Sequence, residues 1–280
     1  SIFRAYTSLS EAEAGTENSG IDAGLVNFDT WTDGKDLTAS DVEHPSGEQW
    51  NIACYADAED TTLGVVIQDW TTDADNFIKI YTPYLTSEVG TSQRHSGVWS
   101  DAKYHLEVSD DFPEGPPLNI SAVNVWLDGL QIYNNSASGS YGINAGGITG
   151  ETKISSCIIK NNPVGTSNYG VYISSADVGI YKLWNNIIYG FFDGGIYLSG
   201  ANNTLHAYNN TIVGVNDADT CYNRNSGTFV SINNIAQLCS VGFAGSFDDD
   251  SDYNLSDLND AIGTSAVNFA TLGFAGAENY

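Results

Sequence analysis

Methionine does not occur in this chain, and lysine and arginine together number 9 against 35 aspartates and glutamates. The formal charge of −26 repels phosphate backbones and anionic bilayers, which sets aside nucleic acid and acidic membrane surfaces as partners. Apolar runs are only a few residues long, so neither a transmembrane helix nor the apolar stretch of a signal peptide is expected. A start at Ser1 without methionine reads as a processed mature form, or as loss of an initiator before a small residue. Four cysteines, Cys54, Cys157, Cys221 and Cys239, form no Cys-x-x-Cys pair, so a zinc or redox centre lacks its usual spacing. Cys157 and Cys221 fall where side chains should face inward, where a thiol behaves as a small hydrophobe. A Cys221–Cys239 disulfide closing a loop is the other reading. No helical period lies between the strand-like runs, which disfavours a βαβ fold. No glycine-rich loop opens a helix, and no Gly-x-Ser-x-Gly elbow is present.

What is present is repetition. Asn185-Asn186, Asn209-Asn210 and Asn233-Asn234 fall 24 residues apart, each pair inside a similar β-rich phrase. A period of that length marks a solenoid. With the second Asn as anchor, the pattern extends back to Cys157 and Gly129, at spacings of 28, 29, 24 and 24. Asn and Gly at the anchor suit a tight left-handed turn, and stacked Asn186, Asn210 and Asn234 can hydrogen-bond to one another. The following residues, Leu130, Ile158, Ile187, Thr211 and Ile235, form a nearly aliphatic column. A second column holds Ile143, Val171, Ile196 and Cys221, expected inward. By strand alternation Asn144, Tyr172, Tyr197 and Tyr222 are then expected outward.

These features predict an all-β chain, a right-handed parallel β-helix in a single domain. Residues 1–55 are read as an N-terminal cap, with a short helix begun by the capping box Ser10-x-x-Glu13. Coils occupy 56–240, with early strands at Gly64–Ile67 and Phe77–Thr82. A loop leaves the coil at 91–117, carrying His95, His105, Pro113, Pro116 and Pro117, and 241–280 form an irregular C-terminal cap.

The phrases Trp184-Asn185-Asn186-Ile187-Ile188-Tyr189, Tyr208-Asn209-Asn210-Thr211-Ile212-Val213 and Gly195-Ile196-Tyr197-Leu198 resemble repeats of the pectate-lyase-like β-helix superfamily. The lead-in Trp50-Asn51-Ile52-Ala53-Cys54-Tyr55, with Trp70-Thr71-Thr72-Asp73 and Phe77-Ile78-Lys79-Ile80-Tyr81, resembles that of large secreted β-helix proteins of environmental bacteria and viruses. Most of those have no assigned activity, and the fold hosts many. The resemblance implies an extracellular, cell-surface or virion location.

Enzymes on this fold act mostly on acidic polysaccharides. A lyase must neutralise a uronate and abstract a proton. Its candidate bases and cations, Lys153, Lys160, Lys182, Arg224 and His206, are expected in different columns. A glycoside hydrolase needs carboxylates facing one groove, and Asp177, Asp193, Asp217 and Asp219 are the candidates, all in turns. The run Asp248, Asp249, Asp250 and Asp252 offers oxygens suited to Ca²⁺, or simply a solvated loop. The histidines at 44, 95, 105 and 206 show no metal-ligand spacing. Outward Tyr172, Tyr197 and Tyr222 would form an aromatic stripe for a glycan or a partner protein. Five Asn-x-Ser/Thr sites occur, and Asn119, Asn134, Asn202 and Asn254 are the ones open to glycosylation, Asn209 lying in the ladder turn. The composite expectation is a non-enzymatic structural or adhesive subunit that self-associates or binds a surface glycan. A carbohydrate-active or carbohydrate-binding protein is the alternative.

Overall fold

Short apolar alternations broken by turn residues give each coil three strands. A computed structural model describes residues 5–22, 34–40, 45–56, 59–61, 64–109, 115–136, 140–146, 149–162, 169–214 and 219–270. Its strands stack into three seven-stranded parallel sheets, so the molecule is a parallel β-helix. Sheet I contains Trp50–Ala53, Ile78–Tyr81, Val125–Asp128, Gly150–Ser155, Gly179–Trp184, Thr204–Tyr208 and Thr228–Ile232. Sheet II contains His105–Ser109, Gln131–Asn135, Ile158–Asn161, Ile187–Tyr189, Thr211–Val213, Ile235–Gln237 and Leu255–Ser256. Sheet III contains Val65–Ile67, Leu118–Ile120, Ile143–Ala145, Tyr169–Ser174, Gly194–Ser199, Thr220–Arg224 and Val241–Ala244. The backbone passes from I to II to III and then starts the next coil. Among the described residues no helix is long and apolar enough to cross a membrane.

Inward side chains stack as files. Ile80, Leu127, Ile154, Leu183 and Ala207 line sheet I, and Ile132, Ile159, Ile188 and Ile212 line sheet II, all buried. Each such aliphatic side chain contributes roughly 1.5–3 kcal/mol through burial. In sheet III the inward file is Leu118, Ile143, Val171, Ile196, Tyr222 and Phe243. Tyr222 is thus inside the core and not on the outer stripe. It pairs with Ile196, its exposure is 0%, and its hydroxyl donates to the carbonyls of Asn210 (3.0 Å) and Ile235 (3.1 Å).

The shift arises at one glycine file. Gly142, Gly170 and Gly195 are the neighbours of Cys221 in this sheet, and each faces an isoleucine of sheet II across the core. A Cβ on Gly142 would lie 2.6 Å from Ile159 Cγ2, and Gly170 and Gly195 meet Ile188 and Ile212 in the same way. One coil on, Ile212 is followed by Ala236, and the smaller residue leaves room for the Cys221 side chain. Cys221 and Cys239 form a disulfide, with Cα atoms 5.9 Å apart.

Two residues join sheet I to sheet II in every coil from Asp128 onward. The first of the two, Gly129, Ser156, Asn185, Asn209 or Asn233, has φ of 78°, 53°, 57°, 54° and 56° respectively. Left-handed geometry therefore falls on the residue before each Asn anchor, where Asn tolerates it best among residues with a side chain. Pairing of Asp128 with Ser155 makes Leu130, not Gly129, the equivalent of Cys157. The aliphatic column correspondingly begins at Gln131, the partner of Ile158.

The second residue of each corner builds the ladder. Asn210 Oδ1 accepts from Asn186 N (3.1 Å) and Nδ2 (2.9 Å), and Asn234 Oδ1 does the same for Asn210 (2.8 and 3.0 Å). Their Nδ2 groups also donate to carbonyls of the preceding coil, at Ile154, Leu183 and Ala207. Asn254 adds a fourth rung by accepting from Asn234 N at 3.1 Å. The ladder satisfies buried backbone groups that a two-residue corner cannot pair with itself.

The ends differ from expectation in three places. The N-terminal helix is Leu9–Ala14, capped by Ser8, whose hydroxyl accepts from Glu11 N at 3.1 Å. Ser10 and Glu13 are therefore not the box; Glu13 instead accepts from Trp70 Nε1 (3.2 Å) and Lys35 Nζ (2.6 Å). Strand pairing begins at Trp50, inside the assigned cap, and continues to Ser256, beyond residue 240. His105–Ser109, placed in the loop, is a sheet II strand paired with Gln131–Asn135. His44, Pro113 and Asp217 lie outside the described residues.

Candidate functional site

Every second side chain of sheet I must face solvent, and register decides which of them become neighbours. One outer file reads Lys79, Trp126, Lys153, Lys182 and His206. Beside it run Tyr81, Asp128, Ser155, Trp184 and Tyr208. The expectation that Lys153, Lys182 and His206 fall in different columns is overturned: strand pairing aligns all three. Lys160 and Arg224 do lie elsewhere, on sheets II and III.

The wall is held by specific contacts. Lys79 Nζ stands 3.8 Å over the Trp126 ring and 3.6 Å from Asp128, which also receives Arg94 at 2.8 Å. Trp126 and Trp184 rings lie 6.2 Å apart, and Trp126 Nε1 donates to Ser155 Oγ at 2.9 Å. Lys153 pairs with Glu151 at 2.6 Å, and Lys182 pairs with the same carboxylate. Desolvation pushes the Glu151 carboxyl up, but the hydrogen bonds and charges of the two lysines outweigh it and hold its pKa below the ordinary value. His206 Nδ1 lies 3.0 Å from the Tyr208 hydroxyl. A cleft of about 200 Å³ opens between Phe77, Asn124, Trp126, Glu151 and Lys153. Four of the chain's nine lysines and arginines (Lys79, Arg94, Lys153 and Lys182) thus gather around two carboxylates, on a molecule of charge −26. Chemically, such a surface offers ring faces for sugar C–H groups and ammonium donors for carboxylate or sulfate.

Basic residues elsewhere among the described residues are engaged. Lys160 Nζ lies 3.8 Å over Trp99 and 4.2 Å over Tyr133, beneath the loop that precedes His105. Arg224 donates to the Gly227 carbonyl. His95 in the loop sits with Nε2 2.8 Å from the Ser156 carbonyl, while Nδ1 accepts from Gly97 N at 3.1 Å. Burial, opposed by the Ser156 contact, lowers its pKa to about 4.

On sheet III the outward file is Asn144, Tyr172, Tyr197 and Asn223, so Asn223 takes the place expected for Tyr222. Tyr141 and Tyr169 join it instead. The Tyr141–Tyr172 and Tyr172–Tyr197 rings stack at 4.0 and 5.1 Å.

The turn carboxylates do not face one groove. Asp177 follows a sheet III strand and Asp193 precedes the next, while Asp219 is 1% exposed and accepts from Ser240 N. The acidic run does not converge either. Asp248 accepts from Asp250 N, and Asp252 is occupied by Ser265, Thr264 and Tyr253. Among the described residues no three His, Cys, Asp or Glu side chains gather as a metal shell. Asn134 and Asn254 are fully buried, which withdraws them as glycosylation sites, whereas Asn202 is exposed.

Register was the missed signal. Counting back four residues from Cys157, Asn186 and Asn210 lands on Lys153, Lys182 and His206. Comparisons with protein-family models, with curated proteins and with solved structures found no significant match.

Proposed function

We propose that this protein is an adhesive, non-enzymatic β-helix of an extracellular or particle surface that holds an acidic glycan along the outer wall of sheet I. The observation that carries the reading is the single file of Lys79, Trp126, Lys153, Lys182 and His206, flanked by Trp184 and Tyr208. Cations and indole rings set about 4.8 Å apart along one axis match a polymer carrying repeated anionic sugars. The Cys221–Cys239 disulfide fits an oxidising compartment. An adhesive role is favoured because the wall's cations already share Glu151 and Asp128, and because the turn carboxylates lie off it.

Affinity electrophoresis through gels containing neutral or acidic polysaccharides tests the reading. Retardation by an acidic polymer that fades with added salt is expected. Lys153→Ala with Lys182→Ala should weaken it at least about tenfold, since a hydrogen bond to a charged group contributes about 1.5–3 kcal/mol. Equal mobility in every gel, or an unaffected double variant, removes the proposal.

A catalytic reading has one observation in its favour, the His206–Tyr208 contact beside Lys182. Unsaturated sugar ends released from the bound polymer, and lost in His206→Ala, would move the assignment to a lyase. Self-assembly, the other use of a rigid coil, would show as large particles on size exclusion.

A further inference from the structure

The four tyrosines outside sheet III do not offer a flat platform. Tyr141 and Tyr172 stack 4.0 Å apart at 6°, and Tyr172 and Tyr197 stack 5.1 Å apart at 2°. Tyr169 leans on Tyr197 at 4.8 Å and on Tyr172 at 6.0 Å. Ring faces that would receive a sugar are spent on one another. All four residues are only half-buried, so part of each remains open to solvent at the stack's edge. The register makes this close approach permanent, because Tyr172 and Tyr197 are paired across neighbouring strands and cannot drift apart without breaking the sheet.

We propose that this quartet is an oxidative coupling site, at which a peroxide-driven one-electron oxidant joins Tyr172 to Tyr141 or Tyr197 as an intramolecular dityrosine. Each of the two phenols gives up one electron and one proton. The two phenoxyl radicals then form one carbon–carbon bond between ring positions ortho to oxygen. The hydrogens on those carbons shift to oxygen and restore both phenols. One hydrogen peroxide accepts the two electrons and two protons and leaves as two waters, so the protein loses two hydrogens. Burial, with the negative charge of Asp193 adding to it, keeps Tyr141 and Tyr169 protonated, so oxidation must remove a proton together with the electron. Asp193 is the carboxylate whose charge is felt at Tyr141 and Tyr169. Its own carboxyl is raised by desolvation, which makes it a better base than a free aspartate. The product would staple consecutive coils covalently, the Cys221–Cys239 disulfide lying in the next coil along the axis.

The test uses the folded chain at low concentration with a haem peroxidase and one equivalent of hydrogen peroxide. Expected are a monomer lighter by two hydrogens, dityrosine fluorescence, and a linked peptide pair containing Tyr172 with Tyr141 or Tyr197. Tyr172→Phe keeps the ring but cannot form a phenoxyl radical. It should cut monomer fluorescence at least about fivefold, because Tyr172 belongs to both parallel stacks. Should Tyr172→Phe alter the melting transition, Tyr141→Phe with Tyr197→Phe removes both parallel partners and gives the same readout. Links confined to other tyrosines, coupling only between molecules, or unchanged fluorescence in these variants would overturn the proposal.

Discussion

Asn209 and Asn210 are adjacent, identical in type, and opposite in what they do, so substituting each in turn is a sharp test of the corner. Asn210 is buried and makes side-chain bonds in four directions: to Asn186 N, Asn186 Nδ2, the Leu183 carbonyl and Asn234 Oδ1. Asn210→Ala leaves Asn186 Nδ2 with Ile154 and Asn234 Oδ1 with the Asn210 main chain, but it strips these partners from Asn186 N–H and the Leu183 carbonyl. At about 1–3 kcal/mol for each buried group left unsatisfied, the loss should be roughly 3–5 kcal/mol. That corresponds to about a 10 °C fall in melting temperature for a chain of this size. Asn209 is exposed, and its φ is 54°. Asn209→Gly should be neutral within about 0.5 kcal/mol, and Asn209→Ala should cost about 1 kcal/mol for the left-handed backbone. Urea unfolding followed by circular dichroism measures all three. If Asn210→Ala costs less than Asn209→Ala, the ladder is not what closes this corner. The double variant Asn186→Ala, Asn210→Ala should cost less than the two singles added, because they share the Asn186 Nδ2–Asn210 Oδ1 bond.

Further outcomes follow from other contacts. His95 is held neutral in the fold, so the unfolded chain takes up its proton first as pH falls. Its contribution is complete above pH 6.5 and is lost between about 6.5 and 4, by at most about 3 kcal/mol, a slope that His95→Gln should flatten in pH-dependent unfolding. Gly195→Ala should destabilise by about 1–3 kcal/mol in the same assay, through overpacking against Ile212 and the Cys221 carbonyl. Replacing Cys221 and Cys239 by Ser should lower stability by roughly 3 kcal/mol for a separation of 18 residues, a loss that reducing agent reproduces in the parent. Tyr222→Phe should cost about 1 kcal/mol through its two lost carbonyl contacts. Tyr181→Phe should instead be neutral or stabilising in calorimetry, since the buried Tyr181 hydroxyl has no hydrogen-bond partner.

The parallel coil was legible because its corner repeats the same two residues at nearly fixed spacing. Asn186, Asn210 and Asn234 could not keep that spacing in any layered fold. The ladder's fourth rung was hidden, since Asn254 follows Asn234 by only 20 residues in the shortened last turn. Tyr222 misled because Cys221 stands where earlier coils have Gly142, Gly170 and Gly195, so Tyr222 is the partner of Ile196 and not of Tyr197. A glycine replaced by cysteine hides that alignment in the sequence. The cationic wall was readable from the anchors already in hand. It was lost because Trp126 interrupts the run of charge and Lys79 lies in a coil whose corner has no Asn. The stack of Tyr141 and Tyr169 on Tyr172 depends on side-chain direction beside a glycine, which pattern alone does not encode.

From Asp128 onward the passage from sheet I to sheet II holds at two residues, whereas that from sheet II to sheet III runs from three residues (Gln237 to Val241) to seven (Asn161 to Tyr169). In these later coils the variation in length is therefore gathered mainly along one edge of the prism. A foreign segment spliced between Val213 and Thr220 would hang from the molecule without changing the pitch, while a single extra residue beside Asn210 would break the file of buried Asn rungs at that corner.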